Sequence, residues 1–135
     1  MQIRGFVSIQ LSILVFIMVI AGITGLAAFA QAQASARDQE RLLDIKQVAG
    51  ALKIYFDENG FYPSGNEAGA ASGMSSYLDF WPAAPKPDGS CTKNQNTYSY
   101  SQKSSDSDYL LTFCLGHSVD RLSAGTHSAS ARGIQ

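Results

Sequence analysis

A chain of 135 residues with ten Lys plus Arg, eleven Asp plus Glu and a net charge of −1 carries no basic run, so it lacks the electrostatic footprint that duplex nucleic-acid binding leaves. With the apolar stretch near its start set aside, about a hundred residues remain, room for one small domain with a modest core. No Gly-rich phosphate loop, Cys-x-x-Cys pair or His-Glu-x-x-His motif is present, and scattered hydroxyls without a placed base give no enzymatic mechanism, so neither catalysis nor a cofactor is expected.

Met1 to Gly5 is a short polar preamble carrying Arg4. Phe6 to Ala30 is a run of 25 uncharged residues; at ~1.5 Å per residue it spans ~37 Å as a helix, enough to cross a hydrocarbon core of ~30 Å. Gly22 and Gly25 each cost ~1 kcal/mol of helix propensity relative to Ala and mark a soft spot in that span, although small residues also let helices pack closely in a membrane. Beyond Ala30 the composition turns polar, yet Ala32, Ala34 and Ala36 keep helix propensity high, so the helix is expected to continue through Arg37, Asp38, Glu40 and Arg41. Ile45, Val48, Leu52, Tyr55 and Phe56 then recur at three- and four-residue steps on one face, with Asp44, Lys46, Lys53 and Asp57 off that stripe. The helix should stop at Asn59-Gly60-Phe61-Tyr62-Pro63, where Gly60 can adopt a left-handed cap and Pro63 biases Tyr62 away from helix.

Three readings of the first 34 residues compete. One is a plain single-span anchor. A second is a secretory signal, with Leu11 to Ala21 as its apolar core and Ala28-Phe29-Ala30 or Ala32-Gln33-Ala34 as small-residue cleavage sites. The third starts from Arg4-Gly5-Phe6-Val7-Ser8-Ile9-Gln10-Leu11, which resembles the processing junction of type IV pilins and type II secretion pseudopilins. The resemblance extends to Asp44-Ile45-Lys46-Gln47 and to Tyr55 through Pro63, and covers about the first 63 residues. It implies a leader of residues 1–5 removed by a membrane prepilin peptidase between Gly5 and Phe6, and N-methylation of Phe6. Residues 6–33 would be the transmembrane and filament-core half of the helix, and residues 34–135 an extracytoplasmic head that includes its outer half. Arg4 slightly favours a cytoplasmic amino terminus. Gln10 departs from the family pattern, which normally has Glu there for filament assembly.

In the head, Ser64 to Ser76 is rich in Gly, Ala and Ser and reads as a surface loop. Tyr77-Leu78-Asp79-Phe80-Trp81-Pro82 gathers four large apolar residues into an expected anchor on the helix stripe, with Trp81 read as core. Pro82, Pro85 and Pro87 make the next stretch an extended connector. Thr97 to Ser101 and Tyr109 to Leu115 alternate as strands, the second sending Tyr109, Leu111, Phe113 and Leu115 to one face. A hairpin turning near Ser104 and Ser105 would set Gln95 opposite Cys114 and bring Cys91 within a few residues, so a Cys91–Cys114 disulfide is expected on an oxidising side of the membrane. Asp106 and Asp108 supply only two carboxylates, far from the six or more oxygens calcium takes, and read as a solvated turn. His117 and His127 read as surface residues instead of metal ligands, and Ser118 to Gln135 as a tail with little apolar content.

The expected fold is α+β, a long N-terminal helix with a membrane-spanning first half, packed on a small antiparallel sheet. The resemblance implies a structural subunit of a type IV pilus-like filament, possible also as a minor or tip subunit. Its alternatives are a pseudopilin of a type II secretion system and, in another class, a membrane-anchored or secreted binding domain. The implied partners are other pilin subunits, the prepilin peptidase, the assembly machinery in the membrane, and lipid before assembly. The implied location is the cytoplasmic membrane first, then an extracellular pilus or periplasmic filament.

Overall fold

The computed structural model describes residues 3–65, 69–103 and 106–135, and their side chains except those of residues 3–8, 23 and 24. One helix, α1, runs Ile3–Asn59, followed by strands β1 (Ser99–Gln102), β2 (Tyr109–Leu115), β3 (Gly125–Ser130) and β4 (Gly133–Ile134). The fold is α+β, a long N-terminal helix packed on a four-stranded antiparallel sheet in the order β1-β2-β3-β4. The chain divides into two compact units, Met1–Gln33 and Ala34–Gln135.

The first unit is helical across Gly22 and Gly25. Its large apolar side chains face outward all round, from Ile9 (65% exposed) through Phe16 (67%) and Met18 (75%) to Phe29 (64%). A helix apolar on every side is unstable against water and needs lipid or other helices around it. This one is long and apolar enough to cross a membrane.

In the second unit the stripe behaves as its spacing dictates. Ile45, Val48 and Leu52 are fully buried, and Tyr55 and Phe56 are partly so. Against them lie Tyr109, Leu111, Phe113 and Leu115, the inward residues of β2, all at 2% exposure or less. Helix α1 ends at Asn59, and Gly60 takes a positive φ of 80° while its N–H donates to the Phe56 carbonyl (2.8 Å). That is the left-handed cap expected of Gly at this place. An aromatic row continues the core outward: Phe56 stacks on Tyr62, Tyr62 meets Tyr109, Tyr109 stacks on Tyr100, and Tyr100 meets Trp81 edge-on.

Four expectations need correcting. Ser118 to Gln135, read as a tail with little apolar content, supplies half the strands of the sheet: β3 pairs with β2 along Leu111↔Ala129 to Leu115↔Gly125, and β4 pairs with β3. Its side chains are mostly small or hydroxylic, so backbone pairing and the buried Ala129 hold it, and no apolar alternation announces it. In the anchor, Leu78 is buried and Trp81 partly so, its Nε1–H donating to the Tyr98 carbonyl, but Phe80 is 74% exposed. The loop from Ser64 contributes Ala71 and Met74 to the core. The β1–β2 register pairs Ser99 with Thr112, and its continuation sets Thr97, not Gln95, opposite Cys114. Ser104 and Ser105, where the turn was expected, lie outside the described residues.

Candidate functional site

Gly5 and Phe6, the expected cleavage and methylation residues, belong to helix α1, and the Phe6 side chain is not among those described. Gln10 is an exposed amide one turn further on, flanked by the exposed Ile9, Leu11, Ile13 and Leu14. In an apolar surround such an amide can both accept and donate a hydrogen bond.

Cys91 and Cys114, 23 positions apart in sequence, are joined in a disulfide with Cα atoms 5.7 Å apart, and both are buried. Beside this bond lies an ion cluster that sequence reasoning missed. Asp38 and Arg41, one turn apart on α1, are both fully buried. Arg41 Nη1 donates to Asp38 Oδ1 (2.6 Å) and Asp88 Oδ1 (2.9 Å), and its Nη2 donates to the Lys86 carbonyl (2.8 Å) and Asn96 Oδ1 (3.1 Å). Arg37 adds Nε to Asp88 Oδ2 at 2.7 Å and Nη2 at 2.6 Å. The Asp38 carboxylate also accepts the backbone N–H groups of Gly116 (2.7 Å) and His117 (2.8 Å), and His117 Nδ1 lies 3.1 Å from its Oδ2.

Two arginines and two aspartates balance in charge, and nearly every donor is met. Arg41 Nε is buried without a partner among the described residues. The close fit shows in the two glycines: a Cβ on Gly89, whose φ is +53°, would run into the Gly116 carbonyl, and one on Gly116 would stand 2.6 Å from Asp88 Oδ1. Burial alone would push the Asp88 carboxyl up, but hydrogen bonds from Arg37 and Arg41 outweigh it and hold the group below its ordinary value. Nearby, Tyr98 donates its hydroxyl to Asp44 Oδ2 (2.8 Å), and burial followed by that bond raises its proton affinity far above the usual tyrosine value.

Asp38, Asp88 and His117 bring ligand atoms within 4.8 Å of one another, a spacing a cation could use. Both carboxylates are already committed to guanidinium groups, which fill the cation's electrostatic role. His127 instead packs on Phe113, with Nε2 2.7 Å from the Ser123 carbonyl oxygen and Nδ1 3.2 Å from that of Gln135. The Asp108 carboxylate accepts the N–H groups of Tyr109 and Ala131 and the Lys103 ammonium, which leaves it little to offer calcium. A cleft of about 420 Å³ between α1 and the loop at residues 76–79 is lined by Lys46, Gln47, Gly50, Ile54, Tyr77 and Asp79 among others.

The cluster had a sequence signal. Asp38 and Arg41 precede Ile45, Val48 and Leu52 at steps of three and four, in phase with the apolar stripe. Compared with known proteins, the chain matches no family model, no curated protein and no solved structure.

Proposed function

We propose that this chain is a structural subunit of a type IV pilus-like filament, cleaved after Gly5, methylated on Phe6 and assembled through the apolar half of its helix. The observation that carries this reading is a single helix doing two jobs: its first part offers apolar side chains on every side, and its last part forms one wall of a small disulfide-bonded head. A subunit that polymerises by its helix and displays its head needs both in one element. The Gly5-Phe6 junction directly before the apolar run adds the place where a leader would be removed.

Gln10 refines the proposal. In the assembly picture the resemblance implies, an acid here meets the positive amine of a neighbouring subunit deep in apolar surroundings, where an unpaired charge is costly. An amide can accept a hydrogen bond from that amine but cannot neutralise it. The chain is then a minor or tip subunit, since a subunit at the tip has no amine above it to satisfy. Its amount in sheared, purified filaments tests this: a trace that rises in Gln10→Glu supports it, and dominance of the fibre mass overturns it.

For the filament reading itself, Gly5→Val puts bulk at the junction that a peptidase would read through the absence of a side chain. The variant should accumulate in the membrane and disappear from the sheared fraction. Undiminished recovery in that fraction would remove the support.

A further inference from the structure

We propose that the Cys91–Cys114 disulfide and the buried ion cluster act as one latch, in which oxidation of the two cysteines is the step that docks helix residues 34–41 onto the head. The proposal concerns the head alone and holds whether or not the chain assembles into a filament.

The disulfide joins the two pieces of chain that hold Arg41. On one side, Cys91 closes the turn that presents Asp88, with the Cys91 N–H donating to the Asp88 carbonyl (2.9 Å). On the other, Cys114 is followed by Gly116 and His117, whose N–H groups grip Asp38. The two pieces touch directly through the Ser90 N–H on the Gly116 carbonyl (2.9 Å). Residues 82–96 belong to no helix or strand, so little else fixes where Asp88 stands. Asn96 and Arg41, which meet the carbonyls of Pro85 and Lys86, are themselves parts of the latch.

With the bond open, the ordering cost of that loop falls on the ionic contacts, and a buried cluster that loses one member is worse than none. The apolar seam from Ile45 to Leu52 has no such dependence, because its partners Leu111, Phe113 and Leu115 are held by strand pairing. The head therefore has two separable units of cooperativity, of which the disulfide governs one. In the closing step each thiol gives up a proton, and two electrons pass to a disulfide-bearing oxidant, which leaves as a dithiol.

The test uses the full chain in detergent micelles, oxidised, or reduced with dithiothreitol that is removed under argon before labelling. Phenylglyoxal modification of Arg41, fully buried in the oxidised protein, is read by mass spectrometry against the exposed Arg121 and Arg132. Hydrogen exchange over residues 45–56 reports the seam. Arg41 should be protected when oxidised and react like Arg132 when reduced, while the seam keeps its slow exchange. Continued protection of Arg41 with both thiols alkylatable, or loss of Arg41 and the seam together, would overturn the proposal.

Coupling is reciprocal, so Asp88→Asn should shift the thiol–disulfide equilibrium in a dithiol buffer toward the reduced form by roughly 5- to 150-fold. Arg37→Gln, which removes a partly exposed arm of the same carboxylate, should shift it less in the same direction. An equilibrium unmoved by both variants would show that the bond and the cluster are independent.

Discussion

Helix α1 is held to the head in two chemically opposite ways. From Ile45 to Leu52 the contact is apolar, non-directional and spread over many side chains of β2 and the aromatic row. From Arg37 to Arg41 it is a closed set of ion pairs and hydrogen bonds in which each group answers for its neighbours. The apolar seam supplies most of the burial and loses stability in proportion to what is removed. The ionic latch adds little net stability as a whole, because desolvation offsets its attraction, yet it fixes one geometry and fails when one member is taken away. Burial thus sets how firmly the head is held, and the latch sets where its first turn sits.

That contrast can be broken most directly at Arg41. Arg41→Ala leaves Asp38 buried without its guanidinium and should destabilise the head by ~3–5 kcal/mol, the cost of removing one partner of a buried pair. Urea unfolding in detergent, followed through the fluorescence of Trp81, measures it; a loss under about 1 kcal/mol would mean the latch is solvated after all. Leu52→Ala should cost ~2–5 kcal/mol by the same assay, the range for a buried leucine. A change near zero would place Leu52 outside the seam.

Acid should separate the two regions further. Asp88 and Asp108 both have carboxyl groups held below the ordinary value of 3.8, Asp88 by its two arginines against the cost of burial, and Asp108 chiefly by the Ala131 N–H. The unfolded chain therefore binds more protons near and below that pH, so their contribution is complete above it and is lost as pH falls through the lowered values. Melts across that window should show stability falling with acid, less steeply in Asp88→Asn, while the increment from Leu52→Ala stays constant. A slope identical in Asp88→Asn would contradict the assignment. Smallest of all, Lys53→Ala breaks an exposed pair with Asp57 on the far side of the helix and should leave the melt unmoved.

The apolar half of this arrangement was legible because burial on one face imposes a period. Ile45, Val48 and Leu52 recur as a helix requires, and Tyr109, Leu111, Phe113 and Leu115 as a strand requires. The Gly60 cap and the disulfide followed from local chemistry and approximate register. Asp38 and Arg41 are in phase with the stripe, but a charge on a helix reads as solvated until its partner is known, and Asp88 and Gly116 lie 47 or more positions away from the helix residues they meet. Strand β3 was hidden for a related reason: Thr126, Ser128 and Ser130 carry no apolar pattern, and only pairing with β2 makes the segment a strand. Phe80 shows the converse, a large apolar residue that local composition placed in the core and the fold leaves in solvent.

Behind both attachments stands the claim that the helix serves two environments, its first part leaving the membrane for a filament and its last part carrying the head. The intact mass and N-terminal sequence of the protein recovered from sheared cell-surface material test this most directly. The account predicts a chain that begins at Phe6 with a methylated amine; a chain that still carries Met1, or one that begins near Gln31 or Gln33, would contradict it.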